Sequence, residues 1–166
     1  MKKRWRLWAL SAAAAVLVLS SVVLLRQGRY PFLNGATLLH TRMDSVTINL
    51  EAAPGGFKSI APYRRDEVVE DYAVRGSNTA LLAAVKNSLT PDDGWVMTDV
   101  MKDLHYYYWH NKEQDVYITL IPQTGKGGKD IGEPMVIVNR PQALYDKAKS
   151  WFDQKFRGAP PPEHFP

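Results

Sequence analysis

From Leu7 to Leu25 the chain runs for 19 residues without a charge, rich in Leu, Val and Ala and interrupted only by Ser11, Ser20 and Ser21. As a helix this stretch would reach about 28 Å, close to the hydrocarbon thickness of a bilayer. Serine hydroxyls in such a helix bond back to its own carbonyls. A soluble helix at a chain end ordinarily keeps a polar face, and this stretch has none. The pattern predicts a transmembrane signal anchor over 7–25, preceded by a basic segment over 1–6. A cleaved signal peptide is the competing reading, because it too begins with bases before an apolar run. Val18 and Ser20 have the spacing of a cleavage site, but Val22, Val23, Leu24 and Leu25 continue the run past the cut.

After a juxtamembrane linker over 26–36 with an Asn34-Gly35 turn signal, Val46, Ile48 and Leu50 alternate with Thr47 and Asn49, which predicts a strand from Thr37 to Leu50. Ala52 to Asp66 holds Pro54, Gly55, Gly56 and Pro62 without periodicity and predicts a surface loop. Val68 to Val74 predicts a second strand. Ser77 or Asn78 is placed to cap a helix from about Thr79 to Leu89, with Leu81, Leu82, Val85 and Leu89 on one stripe. A third strand begins at Trp95. Two aromatic and β-branched runs, Leu104–His110 and Val116–Ile121, flank the polar link Asn111–Asp115 and predict a hairpin. Met135–Val138 suits a short buried strand. A last helix is predicted from near Pro141 to Phe156, with Leu144, Ala148, Trp151, Phe152 and Lys155 on the side that would dock on a sheet. The Pro-rich tail 158–166 reads as extended or disordered. The order of elements implies an α+β fold: an N-terminal transmembrane helix, then an extracytoplasmic domain over 37–157 made of a small, mostly antiparallel sheet with two helices packed on one face.

Charge refines the picture. The chain carries a formal +4, but Lys2, Lys3, Arg4, Arg6, Arg26 and Arg29 fall within its first 29 residues with no acid among them, leaving 15 bases against 17 acids in the rest. The body therefore lacks the basic footprint of phosphate binding, and nucleic acid is excluded as a partner. Four bases before the apolar stretch against two after it place the N-terminus in the cytoplasm and the domain outside the cell membrane. Trp5, Trp8 and Tyr30 stand where rings favour the membrane interface. The absence of cysteine rules out disulfides and thiolate chemistry.

Candidate chemistry centres on the hairpin. A five-residue link sets His110 opposite Val116, Tyr108 opposite Ile118 and Tyr106 opposite Leu120, a core face that includes Leu104. The other face then shows Asp103, His105, Tyr107, Trp109, Tyr117, Thr119 and Ile121. Of these, His105, Tyr107, Trp109 and Tyr117 are the candidate binding residues, since rings offer large contact area at low entropic cost to a sugar, a peptide or a protein. The competing reading makes them cross-strand pairs that only stabilise the hairpin. Gly125-Lys126-Gly127-Gly128-Lys129 fails as a phosphate loop because Asp130, not Ser or Thr, follows the lysine. There is no H-E-x-x-H or G-x-S-x-G motif, and in a regular strand His105 and His110 point to opposite faces. Asp66, Glu67, Glu70 and Asp71 beside Arg64 and Arg65 read as a solvated, self-neutralised patch.

No catalytic residue, metal ligand or cofactor is assigned. The expectation is a single-pass membrane protein of a bacterial envelope, non-enzymatic, with the lipid bilayer as its partner through 7–25 and an envelope protein or polymer as partner of the domain. Two alternatives stand beside it: an anchored hydrolase of envelope polymers using Asp103, His105 or nearby acids, and a binding protein secreted after cleavage.

Overall fold

The computed structural model describes residues 30–54, 56–101, 106–125 and 129–158. The chain divides into two units, Met1–Asn34 and Gly35–Pro166. In the first, Pro31–Leu33 form a 3-10 turn and the rings of Tyr30 and Phe32 stand 5.7 Å apart. The apolar stretch 7–25 lies outside the described residues, and among those described no helix is long and apolar enough to cross a membrane.

The second unit is a small α+β fold. Its strands are β1 (Thr37–Ala53), β2 (Gly56–Ala73), β3 (Trp95–Met101), β4 (Tyr106–Asn111), β5 (Val116–Ile121) and β6 (Met135–Pro141). All pair antiparallel in the order β1-β2-β6-β5-β4-β3. Helix α1 (Asn78–Ser88) follows β2, and helix α2 (Leu144–Arg157) follows β6. Ser77 caps α1, its hydroxyl accepting from the Ala80 amide at 3.2 Å, as its side-chain chemistry dictates.

The segment from Ala52 to Asp66, expected to be a loop, is mostly strand: β1 and β2 form one long hairpin that turns between Ala53 and Gly56. Proline and glycine signals misled because they mark a turn and an irregularity rather than a loop. Ile48 pairs with Tyr63 but Leu50 pairs with Ser59, so two extra residues of β2 bulge out around Pro62, where a missing amide breaks no ladder. Beyond this bulge the hairpin bends over the sheet. The Thr98 hydroxyl of β3 donates to the Ala53 carbonyl at 2.9 Å and contacts the Gly56 carbonyl at 3.2 Å, and the rings of Phe57 and Tyr108 meet edge to face at 5.4 Å.

The sheet thus has two covered faces. One carries Trp109, Ile118, Leu120, Val68, Val136 and Val138, all buried, and α1 adds buried Leu81 and Val85. Asn78 at the start of α1 ties the helix to the later loop. Its side chain donates to the Gln123 carbonyl at 3.2 Å, accepts from the Gln123 amide at 3.1 Å and hydrogen-bonds Asp130. The other face is polar and aromatic and lies under the bent hairpin.

Helix α2 departs from expectation twice. It starts at Leu144 rather than near Pro141, which closes β6, because the Asp146 carboxylate accepts from the Ala143 amide at 2.9 Å and so sets the first turn there. It is also turned the other way round. Asp146 is buried and held by Arg140 through bonds of 2.7 and 3.0 Å, and Arg140 also donates to Glu70 at 3.0 Å. This clamp points the polar stripe of Asp146, Ser150 and Asp153 inward, so the apolar side expected to dock on the sheet faces solvent.

Candidate functional site

The β4–β5 hairpin is built one residue away from the expected register. Asn111 pairs with Val116, His110 with Tyr117, Trp109 with Ile118, Tyr108 with Thr119 and Tyr107 with Leu120. The cause is local. Asn111 extends β4, its side-chain oxygen accepts from the Gln114 amide at 3.1 Å, and Asp115 takes a left-handed conformation (φ 52°), so four residues rather than five make the turn. A one-residue slip exchanges the faces of a strand. Trp109 becomes a core residue, 1% exposed, with half-buried Tyr107 beside it at 6.4 Å. Tyr117 lies on the opposite face, buried, and His105 lies outside the described residues. The four candidate residues therefore do not form one exposed aromatic surface.

Two residues of that opposite face, His110 and Tyr117, open instead into a recess. It measures about 450 Å³ and is lined by Glu51, Ile60, Ala61, Tyr63, His110, Lys112, Asp115 and Tyr117. The bend of the first hairpin supplies its far wall through Glu51, Ile60, Ala61 and Tyr63. His110 stacks flat on Tyr117 with ring centres 4.1 Å apart, and the Arg65 guanidinium lies 4.8 Å from the Tyr117 ring centre. Tyr63 donates to Asp115 at 3.1 Å across the mouth. The buried His110 Nε2 has no hydrogen-bond partner, in a place where burial of an unpaired polar atom is costly.

Charges around the recess are fixed by partners. Arg65 ion-pairs with buried Glu67 and bonds the Asp115 carboxylate at 2.8 Å and the Asp115 carbonyl at 2.7 Å, while Asn139 donates to Glu67 at 3.0 Å. The run of acids and bases expected to be a solvated patch is thus largely interior, with Arg65, Glu67, Glu70 and Asp71 all buried. Alternation along β2 misleads here because Arg65 pairs with Glu67 on its own strand and with Asp115 in the β4–β5 turn, while Glu70 is met by Arg140 of β6. Glu51 sits between Lys58 (3.3 Å) and Lys112 (3.2 Å), and the Lys112 contact leads in holding its carboxyl below the usual carboxylate range. Burial raises the phenols of Tyr117, Tyr108 and Tyr63 above their ordinary value.

Burial also lowers the pKa of His110 from its ordinary 6.5, against the opposing pull of Asp115 and Glu51. The imidazole is neutral at neutral pH and resists charging. Below its ordinary pKa the unfolded chain binds a proton that the folded chain refuses, so stability falls as pH drops through that window and levels off below the folded pKa. Thermal midpoints measured from about pH 7 to about pH 5 are expected to fall more for the natural chain than for His110→Phe, which keeps a stacked ring but cannot titrate. Equal slopes would place His110 in water.

The chain matches no family model, no curated protein and no solved structure.

Among the described residues no three or more His, Asp or Glu side chains gather as a metal site would require. Asp103 and His105, on which a hydrolytic site would depend, lie outside the described residues. Within the recess, Glu51 is held ionised by two lysines and Asp115 is engaged by Arg65, the reverse of a carboxyl kept protonated to act as an acid. A second, smaller hollow of about 240 Å³ lies between α1 and the loop after β5, with Asn78, Leu82, Tyr107 and Asp130 in its wall. Asn78 and Asp130 in its wall are engaged with each other. Sequence reasoning missed the recess because Glu51, Tyr63 and His110 are brought together by a strand bend that a Pro-Gly pattern conceals.

Proposed function

We infer that the protein is a single-pass membrane-anchored binding module, non-enzymatic, whose domain sits outside the cytoplasmic membrane and takes up part of an envelope polymer or protein in the recess beside His110. The uncharged stretch 7–25 with its asymmetric flanking bases supports the anchor and its orientation. The observation that carries the binding role is the recess itself, about 450 Å³ with apolar and charged side chains in one wall. Ile60, Ala61 and Tyr63 offer a ligand apolar contact and Glu51 with Lys112 offer charge, over a floor made rigid by the stacked His110 and Tyr117 rings. The paired state of Glu51 and Asp115 favours binding over hydrolysis.

The test uses the full chain in its own membrane. Alkaline carbonate extraction should leave it in the membrane pellet, and protease added from outside should remove the domain; release into the soluble fraction at full size would refute the anchor. A photo-crosslinker at Tyr63 should yield a discrete adduct that disappears when Ala61→Trp fills the recess. An adduct indifferent to Ala61→Trp, or no adduct at all, would remove the binding role from this recess.

A further inference from the structure

Helix α2 is amphipathic in an inverted sense. Its polar stripe is clamped to the sheet by the Arg140–Asp146 pair, and its apolar side looks away from the body. Leu144 is 87% exposed, Trp151 61%, Phe152 48% and Phe156 64%. The three rings form one cluster, with Phe156 4.7 Å from Phe152 and 6.0 Å from Trp151. In water such a cluster is costly to leave uncovered.

The cations indicate what covers it. Lys147, Lys149, Lys155 and Arg157 give the helix four bases against Asp146 and Asp153. Asp146 is consumed by Arg140, Asp153 is shared between Lys149 (2.7 Å) and Arg157 (3.2 Å), and Lys147 stands 3.9 Å from the exposed Asp66 of β2 in a loose pair that water screens. At about 100° per residue, Lys147 and Lys149 flank the apolar arc on its two sides and Lys155 stands within it. Long basic side chains around exposed Trp and Phe, on a helix of low overall hydrophobicity, are the arrangement that lies in a lipid interface with rings immersed and ammonium groups among anionic headgroups. At a bilayer a lysine amid the apolar arc lays its stem along the acyl chains and reaches back to phosphate.

Chain length brings the surface within reach. Residues 26–36 join the apolar stretch to β1, and such a tether extends at most about 40 Å. Confinement on that scale keeps the local concentration of bilayer high, so a helix too weak to bind free lipid still engages. We propose that α2 docks the domain on the anionic surface of the bilayer that holds its own anchor, through Trp151, Phe152 and Phe156 with Lys147, Lys149 and Lys155 at the headgroups. This inference rests on the anchored reading above.

The chain has no cysteine, so single labels are placed without removing native thiols. Full-length protein carrying a spin label at Phe152→Cys, Gln154→Cys or Leu17→Cys is reconstituted in vesicles of phosphatidylcholine with a minority of phosphatidylglycerol. Relaxation by oxygen, which concentrates in lipid, is compared with relaxation by a water-soluble nickel chelate. The expected result is oxygen dominance at 152 and 17 and nickel dominance at 154, with the preference at 152 weakened in phosphatidylcholine alone. Nickel dominance at 152 with oxygen dominance at 17 would overturn the docking and leave the anchor standing. Nickel dominance at 17 with oxygen dominance at 152 would overturn the anchor, and with it tethered docking, while showing that α2 binds lipid unaided; nickel dominance at both would overturn both. Shielding of 152 from both agents, with dipolar broadening between labelled copies, would make a second copy the occupant; shielding without broadening that is lost on deleting 159–166 would make it the chain's own tail. An equal preference in phosphatidylcholine alone would refute the part given to the lysines.

Discussion

Trp109→Ala is expected to destabilise the folded domain by about 3–5 kcal/mol, the range for emptying a large buried aromatic site. Trp109 is 1% exposed and stands on the sheet face that also holds Ile118, Leu120, Val136 and Val138. Their backbones are fixed in the β4–β5–β6 ladders, so only side-chain shifts can relax into the void and most of it stays empty. Denaturant unfolding should show a lowered midpoint with an unchanged slope, the signature of lost stability rather than a changed unfolded state. A shift under about 1 kcal/mol would mean the indole is a surface residue, as the five-residue turn would have it.

Arg65→Met is expected to cost a similar amount, about 3–5 kcal/mol, for a different reason. Its side chain is 5% exposed and so is that of Glu67, its partner. Removing the guanidinium leaves the Glu67 carboxylate buried with Asn139 as its remaining donor at 3.0 Å, and also frees the Asp115 turn. The expense lies in the stranded charge, not in a lost attraction, so the double change Arg65→Met with Glu67→Leu should recover most of the loss. Unfolding free energies of the two single variants and the double variant decide this. A double variant no better than Arg65→Met alone would show that the pair contributes through packing.

Where local patterns dominate, the fold was legible in the residues. Helix α1 falls where Ser77 and the Leu81–Val85 stripe place it, β5 spans Val116–Ile121 as expected, and α+β with an antiparallel sheet is what the structure has. The reading failed where one residue carried the decision. Asn111 looks like loop by composition, yet its side chain builds the turn and moves Trp109 from an expected binding surface into the core. Pro62 looks like a strand breaker, yet it occupies a bulge. The apolar stripe of α2 was identified correctly and assigned to the wrong side, since periodicity reveals that a face exists but not that an Arg140–Asp146 pair 70-odd residues from Glu70 turns it outward. The recess was invisible for the same reason: its walls are distant in sequence and meet through a bend.

Strand β6 has a consequence for how the molecule comes into being. Among the described residues it is the sole ladder link between two halves that are each contiguous in the chain: the β1–β2 hairpin on one side and the β3–β4–β5 meander on the other. Both halves assemble from near neighbours, but residues 67–73 wait for 135–141, so the closing step carries a large loop entropy and comes late. As the chain leaves the ribosome, the edges of β2 and β5 stay unmated until residues 135–141 have emerged, and a truncation before Met135 leaves one chain with two unjoined, aggregation-prone halves.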